Sequence, residues 1–248
     1  MNNFDFEKLR KEGILVLENY MSKESCNKLI KEINIYSKKE RVIIQKDEGI
    51  GGDIRLFDFE KFSDDALEFS NDKIIKNIVS EYADKNLESK SVLAGKVTFN
   101  NKVKSNSGGD WHRDGDVKLM KAMLYLSDVS AENGPFCFIT KSKDFDFERR
   151  QNEYPFLQKV LFKIKGLPSK PPRYDNKYIM RQKNIESKIV KVTAKAGTLV
   201  IFDGSYIHRG DVIKSGTRYS LTNYYFPTLK NNYIKFFRRL ISFKNVNI

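Results

Sequence analysis

The sequence contains only two cysteines, two histidines and one tryptophan in 248 residues. Cys26 and Cys137 are far apart and lie in apolar patterns, so we predict reduced core thiols rather than a disulfide, which fits a cytoplasmic protein. No apolar run approaches the roughly 18–20 residues that a membrane-spanning helix needs. The first ten residues lack an apolar signal core, so export is not expected.

A formal net charge of +13 makes the chain distinctly basic. Such a surface is compatible with nucleic acid, anionic lipid or an acidic substrate as a partner. The lysines are spread along the chain among Asn and Ile, so nucleic-acid binding is not expected and a small-molecule substrate is favoured. Length and a hydrophobic fraction of 40% predict one folded domain over residues 1–248, and the oligomeric state is not predicted.

The first part of the chain predicts a strand and two helices. Gly13–Leu17 has the composition of a short buried strand. Ser22 is in the position of a helix N-cap, and apolar residues follow it at helical spacing. A second amphipathic helix is predicted to begin at Asp72.

From Val92 onward, short runs of β-branched and aromatic residues alternate with Gly-rich turns. The predicted strands are Lys96–Asn100, Ala122–Leu126, Phe136–Thr140, Ile189–Val192, Thr198–Phe202 and Tyr219–Phe226. This pattern predicts a mainly β protein with flanking helices, built as an antiparallel barrel or jelly roll with its core at about residues 92–226.

Two segments interrupt or follow this core. The insertion at about residues 141–187 includes a predicted helix (Glu153–Lys165) and is either a lid over a site or a structural flap. A basic amphipathic helix is predicted at about residues 230–244. Its apolar stripe, within 233–243, either lies on a membrane or, as we favour, packs on its own domain.

The two histidines are the strongest functional signal. In Trp111-His-Arg-Asp-Gly115, an extended backbone directs His112 and Asp114 to the same side. His208 is the other imidazole of the chain, and a jelly roll places distant strands side by side. Two histidines and one carboxylate form the facial triad that leaves open positions on Fe(II), whereas a structural zinc site would use four ligands.

Arg218 and Ser220 follow His208 and would share one face of a strand. A 2-oxo acid that chelates iron leaves its distal carboxylate free, and a guanidinium binds such a carboxylate through two hydrogen bonds. We therefore predict that Arg218 binds 2-oxoglutarate and that Ser220 donates a hydroxyl. The alternative is that Arg218 is a surface arginine.

With these residues identified, the chain resembles the phytanoyl-CoA dioxygenase family of Fe(II)/2-oxoglutarate oxygenases. The resemblance rests on motifs spread over most of the chain: Gly13–Leu17, Trp111–Gly115, Leu126–Val129, Glu132–Pro135, Gly197–Phe202, His208–Gly210 and Thr217–Ser220. It implies a double-stranded β-helix, a cupin-like fold, with iron bound by His112, Asp114 and His208. It also implies that Lys96 and Met123 flank the co-substrate.

The chain departs from the family pattern at three places. Met123 stands where relatives often have an aromatic residue, and Thr140-Lys-Ser-Lys143 stands where they commonly have Pro-Gly-Ser-His. The spacing from His208 to Arg218 is ten residues, one shorter than is common. None of these changes affects a ligand.

The resemblance implies an enzyme that uses Fe(II), 2-oxoglutarate and O₂ to hydroxylate an unactivated C–H bond, releasing succinate and CO₂. Asp114 favours hydroxylation, desaturation or ring closure over halogenation, because halogenating relatives have a small residue there. The alternative is a non-catalytic jelly roll that binds an anionic ligand or a membrane surface through its basic face. Candidates for recognising an anionic substrate are Arg55, Lys141, Lys143, Arg173 and Arg181.

Overall fold

The computed structural model describes residues 6–39, 44–46, 53–101, 109–115, 119–144 and 173–227. The α-helices in these ranges are α1 (Phe6–Glu12), α2 (Lys23–Tyr36), α3 (Asp64–Ser70), α4 (Lys73–Ala83) and α5 (Asn176–Met180). The strands there are β1 (Ile14–Leu17), β2 (Ile44–Lys46), β3 (Asp53–Leu56), β4 (Leu87–Thr98), β5 (Trp111–His112), β6 (Met120–Tyr125), β7 (Phe136–Ile139), β8 (Arg173–Tyr174), β9 (Ile189–Val192), β10 (Leu199–Asp203), β11 (His208–Gly210) and β12 (Thr217–Pro227).

These strands form two antiparallel sheets. The larger sheet has the order β1-β10-β6-β12-β4-β3-β2, and the smaller has the order β8-β5-β11-β7-β9. Neighbouring strands are often distant in sequence, as β1 and β10 are in the larger sheet and β5 and β11 in the smaller. The predicted double-stranded β-helix is confirmed.

The two sheets face each other across an apolar layer. Phe202 of β10 and Phe136 of β7 have ring centroids 4.5 Å apart, so the layer joins the two sheets. The Tyr125 hydroxyl crosses the same layer and donates to the Val192 carbonyl at 3.1 Å. The side of each sheet that borders this layer is called its inner face below.

The helices cover the outer face of the larger sheet. Leu29 of α2 and Ile75 of α4 are fully buried in one cluster with Ile201 of β10. Each helix begins at a side-chain cap: the Ser22 hydroxyl accepts from the Ser25 amide, and the Asp72 carboxylate accepts from the Ile74 amide. Both predicted helices are confirmed, because a cap and an apolar stripe act together in each.

The larger sheet extends further toward the N-terminus than predicted. β4 begins at Leu87 instead of Lys96, and β1 and β3 precede the predicted core boundary at residue 92. Serines near the start of β4 interrupt the run of β-branched and aromatic residues by which strands were predicted from the sequence. They are satisfied by side chains, since Ser89 donates to Asn223 at 2.7 Å and Ser91 donates to Asp58 at 2.8 Å.

Only the ends of the predicted insertion at 141–187 fall in the described ranges. Its last part joins the smaller sheet, where β8 pairs with β5 and α5 follows. The predicted helix at 153–165 and the C-terminal helix at 230–244 lie outside the described residues. Among the helices that are described, none is long and apolar enough to cross a membrane.

Both cysteines are buried and unpaired. Cys26 lies in the cluster beneath the helices and Cys137 lies in a smaller cluster with Trp111 and Ile207. The prediction of reduced core thiols is confirmed.

Candidate metal centre

The predicted metal ligands meet at the inner face of the smaller sheet. His112 pairs directly with His208 across β5 and β11, and their imidazole centroids are 4.5 Å apart. His208 also contacts the inner apolar layer, with its ring centroid 5.2 Å from that of Phe202. One ligand atom from each of His112, Asp114 and His208 lies within 4.8 Å of the other two.

The local sequence explains how this convergence arises. Trp111 belongs to the apolar cluster on the other side of the smaller sheet, so the next residue, His112, points inward. Asp114 follows in the loop after β5, where its backbone amide donates to the Gly204 carbonyl at 2.8 Å. This bond places its Oδ2 atom 3.4 Å from His208 Nε2.

Each imidazole is oriented by a backbone carbonyl. His112 Nδ1 is 2.7 Å from the Asp110 carbonyl, and His208 Nδ1 is 2.8 Å from the Tyr206 carbonyl. Because a carbonyl oxygen only accepts, each Nδ1 carries a proton and donates it to that carbonyl, which turns each Nε2 toward the site. Metal-binding histidines in proteins are oriented in this way.

The charges in the site also suit a cation. Burial, together with neighbouring His208, lowers the pKa of His112 to about 3, so its imidazole is neutral at physiological pH. Burial alone would raise the pKa of Asp114, but Lys121 and the two imidazoles outweigh it and hold the pKa below its ordinary value. The site therefore combines a neutral His112 imidazole with an ionised Asp114 carboxylate.

The donor set passes a second test of fit. Asp114 Oδ2 is buried and makes no well-directed hydrogen bond, although the Lys121 ammonium is 2.6 Å from it. A lone pair of this oxygen is therefore available to a metal ion. Two imidazoles and one carboxylate, with no fourth side-chain ligand among the described residues, match the open facial triad of non-haem iron better than a closed zinc site.

An anchor outside the site connects the two ligand segments. Arg113 is 1% exposed, and its guanidinium donates to the backbone carbonyls of Ser142 and Lys143. The Ser142 hydroxyl accepts from the Ile207 amide at 2.7 Å, directly before His208. Ser142 therefore links both ligand segments to the start of the insertion, a role that sequence reasoning did not assign.

Arg218, Ser220 and Met123 lie on the inner face of the larger sheet. Ser220 pairs with Tyr125, whose side chain is in the inner layer, and Arg218 shares the face of Ser220 by strand alternation. Met123 packs against the same layer. Burial lowers the pKa of the Arg218 guanidinium.

The predicted co-substrate contact of Lys96 is wrong. Lys96 pairs with Tyr219, so both point away from the face that carries Arg218 and Ser220. The Lys96 ammonium instead donates to Asn34 of α2 at 2.8 Å. The register that decides this placement was not evident in the sequence.

Two further residues border the triad and were not assigned from sequence. Lys121, on the inner face of β6, places its ammonium 2.6 Å from Asp114 Oδ2. Gly204 lies so close that a Cβ atom there would be 2.3 Å from the same oxygen. A sequence signal existed for Lys121, which is a charged residue within a buried, otherwise apolar strand and two positions before Met123.

Solved structures with this fold include several enzymes. The epimerase SnoN from nogalamycin biosynthesis, in complex with Fe3+, alpha ketoglutarate and nogalamycin RO, has a TM-score of 0.65 at 15% identity, covering 90% of this chain and 82% of that chain. HygX from Streptomyces hygroscopicus, with nickel and 2-oxoglutarate bound, has a TM-score of 0.60 at 16% identity, covering 92% and 88%. The carbocyclase SnoK, also from nogalamycin biosynthesis, has a TM-score of 0.63 at 15% identity, covering 93% and 88%. At these identities the likeness shows the fold.

A sequence search of curated proteins gives no match. The family model of phytanoyl-CoA dioxygenase (PhyH) does match, over residues 9–218. This range includes the triad, Lys121 and Arg218, and it covers most of the chain. The chain therefore belongs to the phytanoyl-CoA dioxygenase family.

Proposed function

We propose that this protein is an Fe(II)- and 2-oxoglutarate-dependent dioxygenase that hydroxylates an unactivated C–H bond of a small organic substrate. The observation that carries the proposal is the meeting of His112, Asp114 and His208 within 4.8 Å at the inner face. Family membership and the metal- and 2-oxoglutarate-bound structures of similar fold support the same assignment.

The triad would hold iron through His112 Nε2, His208 Nε2 and one oxygen of Asp114. Three protein ligands leave positions for a bidentate 2-oxo acid and for O₂. When bound, iron with 2-oxoglutarate and O₂ supplies the oxidising power, coupling decarboxylation of the co-substrate to succinate and CO₂ with oxidation of a substrate C–H bond.

The larger sheet would bind the co-substrate. The Arg218 guanidinium is suited to two parallel hydrogen bonds with the distal carboxylate, and the Ser220 hydroxyl can donate to the same group. Met123, on the same face, would contact the carbon chain. The aromatic layer of Phe136, Phe138 and Phe202 borders the site and limits the access of water.

The proposal also concerns the type of reaction and the class of substrate. The similar structures include an epimerase and a carbocyclase, so proteins with this fold carry out different reactions. Asp114 fills the position that halogenating relatives leave to chloride, which argues against halogenation. Hydroxylation is the reaction proposed here, and desaturation and ring closure are the alternatives. Arg55 is the candidate for an anionic substrate group, since it pairs with Gly95 beside Ser220 and is 28% exposed at its side chain.

An anaerobic titration with Fe(II) and 2-oxoglutarate tests the cofactor assignment. We expect a visible charge-transfer band in the wild-type protein, no band in His112→Ala and a much weaker 2-oxoglutarate affinity in Arg218→Ala. Lys96→Ala is the matched control, because it removes a cation from the outer face of the same sheet. A wild-type protein without the band would contradict the proposal and favour a non-catalytic binding protein.

Product analysis tests the reaction type. Incubation with Fe(II), 2-oxoglutarate and panels of acyl thioesters, amino acids and sugar phosphates should convert one class with equimolar succinate. A product heavier by one oxygen atom indicates hydroxylation, whereas loss of two hydrogens indicates desaturation or ring closure. An unchanged mass with succinate formation would indicate epimerisation and contradict hydroxylation.

Packing of the apolar stripe within 233–243 on its own domain, with membrane contact as the alternative, stays a prediction, because this segment lies outside the described residues. Sedimentation with anionic liposomes, with and without the chain from Tyr233 onward, tests it. We expect no difference between the two proteins if the segment packs on its own domain. Loss of sedimentation on truncation would support a membrane role.

A further inference from the structure

Lys121 is a charged residue in the middle of a buried strand. The strand β6 reads Met-Lys-Ala-Met-Leu-Tyr over residues 120–125, and Lys121 is 7% exposed. It pairs with Phe202 of β10 on one side and Tyr224 of β12 on the other, so it lies between two strands of the larger sheet. An ammonium in this position is costly to bury unless an anion compensates it.

The compensating anion is the predicted metal ligand. Lys121 Nζ is 2.6 Å from Asp114 Oδ2, and the ring centroids of Tyr224 and Phe202 lie 4.8 Å and 5.9 Å from it. The Asp114 carboxylate is therefore the group that offsets the burial of the Lys121 ammonium.

The other neighbour of this oxygen is more distant. His208 Nε2 is 3.4 Å from Asp114 Oδ2, and His208 Nδ1 lies 2.8 Å from the Tyr206 carbonyl. Among the described residues, Lys121 is therefore the cation in contact with the carboxylate before a metal binds. A carboxylate oxygen has two lone pairs, so the ammonium leaves the second available to the metal.

We propose that Lys121 is a positioning residue of the metal centre, which holds the Asp114 carboxylate directed toward the two imidazoles. This inference rests on the metal site of the proposed function. Side chains that contact metal ligands fix the orientation of those ligands in other proteins, and their loss weakens metal binding about 10–100-fold. Lys121 would do the same here from the opposite sheet.

A simple charge effect would act in the other direction. An ammonium close to a divalent cation repels it, so removing a merely neighbouring lysine would strengthen metal binding. A lysine that only stabilises the fold would change the free energy of unfolding and leave the metal affinity of the folded protein unchanged. The direction of the change in metal affinity therefore separates these roles.

The experiment is an anaerobic titration with Co(II), followed by its visible absorption bands, on the wild-type protein, Lys121→Met, Lys121→Arg and Lys96→Met. Met preserves length and removes the charge, and Arg preserves the charge. We expect Lys121→Met to weaken Co(II) binding about 10–100-fold and to alter the band intensities, which report ligand geometry. Lys121→Arg should retain most of the affinity, and Lys96→Met should match the wild type because that ammonium contacts Asn34.

Co(II) binding by Lys121→Met that equals or exceeds that of the wild-type protein would overturn the inference, while leaving the proposed function intact. If Lys121→Met does not fold, Lys121→Gln replaces it, with weaker binding expected and unchanged binding again overturning the inference. A wild-type protein that does not bind Co(II) would instead overturn the proposed function, and this inference with it.

Discussion

Gly204 occupies a position where any side chain would enter the metal site. A Cβ atom there would lie 2.3 Å from Asp114 Oδ2, well inside van der Waals contact, and 3.2 Å from the Leu119 carbonyl. The Gly204 carbonyl also accepts a hydrogen bond from the Asp114 amide. The backbone at Gly204 therefore cannot shift without moving the metal ligand Asp114. We expect Gly204→Ala to weaken Co(II) binding about tenfold or more, as measured by anaerobic titration.

Gly115 provides the matched control for this substitution. It is adjacent to Asp114 in sequence, but a Cβ atom there would meet nothing within 4 Å. Gly115→Ala should therefore bind Co(II) like the wild-type protein. Equal weakening by both substitutions would show that the Asp114 loop is sensitive to any added side chain, and would contradict the specific role of Gly204.

Lys141 has a backbone conformation that favours glycine. Its φ is +55°, in the left-handed region, at the position where relatives commonly have the glycine of Pro-Gly-Ser-His. We expect Lys141→Gly to stabilise the protein by about 0.5–1 kcal/mol, because the relief of left-handed strain exceeds the added entropy of the unfolded chain. Urea denaturation measures this change. Lys177→Gly in α5 should instead destabilise, and a loss of stability at Lys141 would contradict the argument.

Side-chain placement was predicted correctly from sequence where strand alternation decides which side chains share a face, as for Ser220. Asp114 differs, because it lies in the loop after β5 and its amide hydrogen bond to the Gly204 carbonyl places it beside His112. Lys96 failed because its face depends on the register of β4 against β12, which pairs Lys96 with Tyr219. Lys121 was overlooked because its partner, Asp114, comes from the opposite sheet.

At the scale of elements, a short segment after β7 holds the two ligand segments together. Ser142 is fully buried and accepts from the Ile207 amide at 2.7 Å, while its carbonyl accepts from Arg113. Ser142→Ala would leave the Ile207 amide buried without its partner. We expect a loss of about 1–3 kcal/mol in the free energy of unfolding, measured by urea denaturation.

Ser187→Ala is the control for Ser142→Ala, because the Ser187 hydroxyl donates to the Asn184 carbonyl at an exposed turn. Its effect on unfolding should be within about 0.5 kcal/mol of zero. The Ser142 variant should also show altered Co(II) absorption, since His208 follows Ile207 directly. Wild-type stability in Ser142→Ala would contradict the linking role of this segment.

The elements that sequence patterns predicted well are those with local signals. Caps at Ser22 and Asp72 locate two helices, and continuous apolar runs locate β7 and β10. The start of β4 was missed because hydrogen bonds to Asn223 and Asp58, which satisfy its serines, come from distant parts of the chain. Strands that depend on such partners are not visible in local composition.

At the scale of the whole molecule, the two sheets supply different residues of the proposed site. The smaller sheet and its loops supply the triad, and the larger sheet supplies Lys121, Met123, Ser220 and Arg218. Helices cover the larger sheet from outside, so its central strands are buried on both faces. A ligand that contacts both sheets should therefore stabilise the whole fold and not one local segment.

This arrangement predicts that metal and co-substrate stabilise the protein in a fixed order. A ligand that binds only the folded state adds about 2.7 kcal/mol of stability at a concentration 100-fold above its Kd. Ni(II), which avoids turnover, should raise the melting temperature, and 2-oxoglutarate should raise it further only when Ni(II) is present, because the metal forms part of its site. His112→Ala should lose both increments, whereas Arg218→Ala should keep the first and lose the second. Calorimetric melting with each ligand combination measures these increments. An increase in melting temperature with 2-oxoglutarate that is equally large without metal, or that survives Arg218→Ala, would show that the co-substrate binds elsewhere.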